Sequence, residues 1–279
     1  MSDRFHTAIV GVDGSEESFA ALDQARRLLA SDGTLLALII CEEHLAAQAG
    51  YDASRIAAEM HKAAEGAAAR ARASLADLPK AEVSLVHGRP TPCLLATAAQ
   101  HQADLIAVGS HEHSRAAAIA LGSVASEILH RAPQSVLVAR KDSGRFRSII
   151  AGVDGSRSSL AALGVARDLA GDTDVPLRVI AAESGKPIHL DALVDVRDAE
   201  WVQAHPVDCL VAAAEEADLV VIGSRGLHGL ASLGSVSERV AHRARCSVLV
   251  VRDATLGADR VAERTVSEHD PVEAVTAMR

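Results

Sequence analysis

The segment Gly223-Ser224-Arg225-Gly226, followed after seven intervening residues by Gly234-Ser235-Val236, holds the residue types that receive a phosphate. Glycines lack a Cβ, so backbone N–H groups approach phosphate oxygens closely there. A serine at a helix start adds its hydroxyl and the positive end of the helix dipole. The apolar run from Ala217 to Ile222 precedes the loop, which places it where a strand hands over to a helix. A second version lies earlier: Ala103 to Val108 leads into Gly109-Ser110-His111-Glu112, and after nine residues come Gly122-Ser123-Val124. The competing reading is structural, with Gly223 turning a strand and Ser235 capping a helix.

The two loops belong to an internal duplication. Residues 5–29 and 146–170 are identical at 14 of 25 aligned positions, including Val12-Asp13-Gly14-Ser15 against Val153-Asp154-Gly155-Ser156, and Gly122 to Arg140 matches Gly234 to Arg252 at 11 of 19. Identity at that level in two separate blocks means two homologous domains in one chain. The offset between the copies falls from 141 at Phe5/Phe146 to 112 at Gly122/Gly234, so the second copy has lost about one whole element.

Elements to position the loops follow from the apolar pattern. Strands are expected at Thr7–Val12, Leu35–Cys41, Val83–Val86, Leu105–Val108 and Ser135–Val138, with helices at Glu16–Ala30, Ala53–Leu75, Pro92–Gln100 and Ser123–His130 between them. The second copy repeats the strands near Ser148–Val153, Leu177–Ala182, Trp201–Gln203, Leu219–Ile222 and Ser247–Val251. Only Glu183 to Ala199 joins its second and third strands, so the long second helix is missing there. Alternating strands and helices make right-handed crossovers and a parallel sheet covered on both faces, and the continuous Val/Ile/Leu runs are those of buried parallel strands. The fold class is α/β, two tandem doubly wound domains whose ligands sit at the carboxyl ends of the strands. Residues 1–140 form the first domain, 141–147 a linker, 148–252 the shortened second domain and 253–279 a polar tail.

Composition narrows the partners. A formal net charge of −9 with 2% aromatic residues argues against nucleic acid, which demands a basic footprint and, for single strands, stacking platforms. No apolar run is long enough to span a bilayer and the first residues do not read as a signal peptide, so a cytoplasmic, non-membrane protein is expected. Cys41, Cys93, Cys209 and Cys246 are far apart and form no Cys-x-x-Cys pair, which suits buried free thiols. His111-Glu112-His113 reads as a solvated loop, and no metal site is assigned. The Ala-rich helix from Ala53 reads as an ordinary packed amphipathic helix. No P-loop lysine and no nucleophile elbow occur, so binding and regulation are expected rather than catalysis.

Taken together, the first strand ending in Val-Asp-Gly-Ser, the turn at His87-Gly88-Arg89-Pro90, and the glycine loop followed by Gly-Ser-Val and a terminal Ser-Val-Leu-Val strand resemble the universal stress proteins in their tandem form. The resemblance covers residues 5–140 and 146–252. It implies a five-stranded parallel sheet per domain and, in some members, ATP or another adenine nucleotide, with Mg2+ as its companion ion, held by Gly-x-x-Gly, nine residues, then Gly-Ser/Thr. It places Asp13 and Asp154 on the adenosine side, Ile40 and the aligned Ala182 at the base, and Gly88, Gly109, Gly122, Ser123 and Val124, or Gly223, Gly226, Gly234, Ser235 and Val236, around the rest. The competing role for each Asp is an Asx-turn. The resemblance also implies an internal pseudo-dimer through the last strands, Ser135–Val138 and Ser247–Val250, since an exposed apolar edge must be covered or paired. Pairing of whole chains into a homodimer is a further expectation. Protein partners are unidentified, and the other function classes are a nucleotide-free scaffold or chaperone-like member acting through them and a slow ATPase or phosphotransfer protein.

Both copies depart from the family pattern. The first keeps the spacing of nine but has Glu112 at the second glycine, whereas the second keeps both glycines but separates Gly226 from Gly234 by only seven residues and has Ala204 where the first has Gly88. A carboxylate ~4 Å from a phosphate charge costs on the order of 4 kcal/mol at an effective dielectric of ~20. In the full chain, Glu112→Gly is expected to strengthen ATP binding by more than AMP binding, measured by calorimetry; equal effects on both ligands would remove Glu112 from the distal-phosphate site.

Overall fold

The computed structural model describes residues 4–43, 52–110, 121–140, 145–182, 196, 199–224 and 235–252. The first copy runs β1 (Phe5–Val12), α1 (Glu16–Leu28), β2 (Leu29–Cys41), α2 (Ala53–Ser74), β3 (Ala81–His87), α3 (Pro90–Gln100), β4 (Leu105–Gly109), α4 (Ser123–Arg131) and β5 (Ser135–Ala139). The second runs β6 (Ile149–Val153), α5 (Arg157–Thr173), β7 (Leu177–Ala182), β8 (Ala199–Val202), α6 (Pro206–Ala213), β9 (Leu219–Gly223), α7 (Ser235–Arg243) and β10 (Ser247–Val251). All ten strands join one sheet in the order β3-β2-β1-β4-β5-β10-β9-β6-β7-β8, so each copy has the same internal order, 3-2-1-4-5. Of the connection between β7 and β8, only Val196 lies among the described residues.

The expected elements recur with shifted ends. The α1 pattern stops at Leu28 rather than Ala30 because buried Leu29 already pairs with Phe5 at the start of β2, ahead of a register irregularity between Phe5 and Thr7. Helix α3 starts at Pro90, where a proline costs no intrahelical hydrogen bond. Two apolar layers cover the sheet, one on each face. Phe19, Leu22, Ala68, Leu163 and Leu169 of α1, α2 and α5 pack in one, while Leu94, Ile128, Leu210 and Val240 of α3, α4, α6 and α7 pack in the other. Both layers run across the two copies. Of the cysteines, Cys41 and Cys246 are buried and Cys93 and Cys209 only half-buried, and none forms a disulfide. Burial pushes the Cys246 thiol up to about 12. No described helix is long and apolar enough to cross a membrane.

The repeated Ala-Asp-Leu motif has a mechanical role. Asp104 at the foot of β4 accepts from the backbone N–H groups of His6 and Thr7 at 2.8 and 3.0 Å, which pins β4 beside β1, and Asp218 accepts from Arg147 N–H at 2.7 Å at the equivalent place. The carbonyls of the same two residues receive the N–H groups of Ser135 and Ser247, the first residues of β5 and β10.

The copies meet where β5 and β10 pair antiparallel, with Val136, Leu137 and Val138 opposite Val250, Leu249 and Val248. This is the predicted junction of last strands. A pair of arginines sews it shut with near twofold symmetry. Arg140 N–H donates to Ser247 Oγ, and its guanidinium donates to the carbonyls of Cys246 and Ala241 at 3.0 and 2.7 Å. Arg252 N–H donates to Ser135 Oγ, and its guanidinium donates to the carbonyl of Leu129, the counterpart of Ala241. Arg140 is 8% exposed, and burial pulls its pKa below the usual arginine value, so its hydrogen bonds must offset a real desolvation cost. Hydrogen bonds to a charged group contribute about 1.5–3 kcal/mol each. Arg140→Ala is therefore expected to destabilise the full chain by roughly 2–4 kcal/mol, read from urea midpoints. The Val136 and Val248 amides should lose hydrogen-exchange protection together, and a loss confined to one copy would break the coupling.

Candidate functional site

A cavity of about 640 Å³ opens at the carboxyl ends of β1, β2 and β4 in the first copy. It lies where strand order reverses between β1 and β4, the switch point at which open α/β sheets receive ligands. Of the residues predicted for this copy, Asp13, Ile40, Gly109, Gly122 and Val124 line it together. Gly88 and Ser123 are not among the lining residues. Gly88 instead ends β3 at φ +149°, donates its N–H to the Cys41 carbonyl and leaves no room for a Cβ beside Cys93 Sγ, so its requirement for glycine is met by the turn alone.

Asp13 does two jobs. Its Oδ1 accepts from the Ser15 N–H at 2.9 Å and the Ser15 hydroxyl at 2.6 Å, which is the Asx-turn. Gly14 takes φ +92° to complete the turn, and the Ser15 hydroxyl caps α1 by accepting from Ser18 N–H. The turn leaves the exposed Asp13 carboxyl at the cavity wall. Asp154 makes the same contact to Ser156 N–H at 3.0 Å, with Gly155 at φ +76°.

The strand-end glycines answer to packing before they answer to any ligand. A Cβ on Gly109 would lie 2.9 Å from backbone atoms of Glu17 and Ser18 in the first turn of α1, and one on Gly223 would lie 2.4 Å from the backbone of Ser158 in α5. Neither the turning role nor the phosphate role read from the sequence includes this close helix approach. Gly122 is different: it is the N-cap of α4 at φ −61°, backbone that any residue adopts. Having no side chain, it makes no side-chain cap hydrogen bond, and at the cavity wall its own N–H donates to the Ser110 carbonyl at 2.8 Å.

The wall that sequence reasoning missed comes from α2, where Met60, Ala63 and Ala64 face the cavity. Their i, i+3, i+4 spacing was a legible signal of one helix face. Arg70 holds this helix against α1 by a bidentate pair with Glu16 at 2.8 and 3.1 Å and by stacking 3.7 Å over the Phe19 ring. Pro90 and Leu94 of α3 close the apolar side.

In the second copy, Ala182 is buried at the end of β7, Gly223 ends β9, and Val236 is partly buried in the first turn of α7. Gly226, Gly234, the Ser235 side chain, Glu112, the His111/His113 pair, residues 141–144 and the 253–279 tail lie outside the described residues.

Comparison with known proteins agrees with this geometry. A family model described as the universal stress protein family matches residues 4–140 and 189–252. A universal stress protein of Mycobacterium tuberculosis is 31% identical over 201 residues, 60% of this chain and 68% of that protein. Among solved structures, a universal stress protein from Archaeoglobus fulgidus superposes with a TM-score of 0.70 at 23% identity, over 90% of this chain and 97% of its own. A Pseudomonas aeruginosa protein described as functionally unknown does so with a TM-score of 0.66 at 17% identity, over 96% and 99%. These two structures share the fold.

Overpacking costs about 1–3 kcal/mol, and more where the obstacle is backbone. Gly109→Ala is expected within that range and Gly223→Ala at or above its top, both in the absence of any ligand. Urea denaturation checks this, and a Gly223→Ala chain as stable as the parent would mean that α5 does not approach β9 this closely.

Proposed function

Because this chain belongs to the universal stress protein family, we propose that the cleft of its first copy binds an adenine nucleotide and that occupancy, rather than turnover, is what the protein uses. The observation that supports this most is the convergence of Asp13, Ile40, Gly122 and Val124 on one cavity of about 640 Å³ at the sheet's switch point. That volume falls in the range of small-molecule sites. Ile40, Met60 and Leu94 supply apolar surface for a base, and the Asp13 carboxylate accepts from sugar or amine N–H and O–H groups. The N-terminus of α4, which starts just after Gly122, turns a helix dipole end toward phosphate. A triphosphate brings its own Mg2+, which offsets charge beside acidic neighbours.

Calorimetry of the full chain with ATP and with AMP tests the reading. Gly122→Val sets a branched side chain over the α4 amides without backbone strain, and Ile40→Glu sets a charge against the base. Each is expected to weaken binding at least ~10-fold, about 1.4 kcal/mol, while the unliganded melting temperature stays within a few degrees. No binding by the parent chain, or unchanged binding in both variants, would reject this cleft as the nucleotide site.

A further inference from the structure

At the rim of the cleft, three side chains from separate stretches of backbone bring potential metal ligands together. The Cys41 sulfur at the end of β2, a Glu43 carboxylate oxygen just beyond it and a ring nitrogen of His87 at the end of β3 all lie within 4.8 Å of one another. His87 Nδ1 is 3.3 Å from Glu43 Oε1, and His61 Nδ1, from the third turn of α2, is 3.6 Å from the same oxygen. The two imidazoles stack, 5.9 Å apart and 5° from parallel. The His61 Nδ1 atom is buried and has no hydrogen-bond partner, an arrangement that costs free energy unless something else satisfies it.

We propose that Cys41, Glu43 and His87 bind one zinc-class divalent cation, with His61 as the fourth ligand. A thiolate, a carboxylate and two imidazoles are the donor types that select Zn2+, whereas Mg2+ and Ca2+ demand oxygen. Zinc bond lengths of about 2.0–2.3 Å set tetrahedral donors roughly 3.3–3.8 Å apart. The His87–Glu43 and His61–Glu43 separations already match this spacing. The remaining closure falls to side chains free to move, since Glu43 and His87 are 42% and 53% exposed while Cys41 is fixed in the core at 3%. A thiolate and a carboxylate together neutralise the ion. Burial, with the Glu43 charge adding to it, raises the Cys41 thiol, and a bound cation reverses that penalty. The ion ties β2, β3 and α2 together, and α2 carries the cleft wall at Met60, Ala63 and Ala64.

The test uses the full chain, reduced, stripped of metal and free of nucleotide, so that its outcome is independent of the nucleotide reading. Competition against a chromophoric chelator should show one tightly bound Zn2+ per chain. Co2+ should give the intense absorption of a tetrahedral site with a sulfur-to-metal band. His87→Ala and Glu43→Gln are expected to weaken Zn2+ more than the ~10–100-fold that losing a supporting group costs. Cys41→Ser should abolish the sulfur band, and the surface variants stand as the check if burial of serine unfolds the chain. A His111→Ala/His113→Ala double variant should bind as the parent does. Absent Zn2+ binding, affinity unchanged in His87→Ala and Glu43→Gln, or binding lost only in the His111/His113 variant would overturn the site.

Discussion

The antiparallel seam between β5 and β10 is the constraint on which the rest of the molecule depends. Each copy ends in an apolar strand whose outer backbone groups would otherwise face water, and every residue of β5 and β10 is buried. Pairing them converts two open edges into the middle of a ten-stranded sheet. Among the described strands the edges left are β3 and β8, which are half-buried with Glu82 and Glu200 among their exposed positions. Arg140 and Arg252 sharpen the register, because each reaches across the seam to carbonyls at the end of a helix in the other copy. Cations at helix carboxyl ends are favoured by the dipole, so the arginines fasten the layers as well as the strands.

With the seam in place, the two carboxyl-end surfaces are built by the same devices. The Asx-turn, the positive-φ glycine and the serine cap occur in both copies, and both strand-end glycines admit a helix backbone to contact. Helix α2, held by Arg70 on Glu16 and Phe19, turns an open crevice into a cavity of defined volume in the first copy. The cleft, the histidine stack and the buried Cys41 all sit on the side that carries α2.

Much of this was legible in the residues because it is encoded locally. Val-Asp-Gly-Ser is turn chemistry wherever it occurs, and the Val/Ile/Leu runs can only be buried strands. The fall in offset between copies marked the shortened connection from Glu183 to Ala199 in the second copy. The glycines were legible as special but not as to cause. Gly109 and Gly223 read as loop glycines, whereas the structure shows a helix from earlier in the chain pressed against each. The α2 contribution was passed over because an Ala-rich amphipathic helix reads the same whether its face meets a core or a cavity.

What the sequence by itself determined is therefore the set of elements, their duplication, the parallel order that alternating strands and helices impose, and the turn at each Asp-Gly-Ser. These rest on period, propensity and turn chemistry, which act over a few residues. Only the tertiary structure decided which residues share a space. Asp13, Ile40, Met60, Leu94 and Gly122 span more than a hundred positions and meet only because crossovers return each strand end to one edge of the sheet. Cys41, Glu43, His61 and His87 converge for the same reason, since β2, α2 and β3 are adjacent in space. Proximity of that kind is a property of packing, and no local pattern carries it.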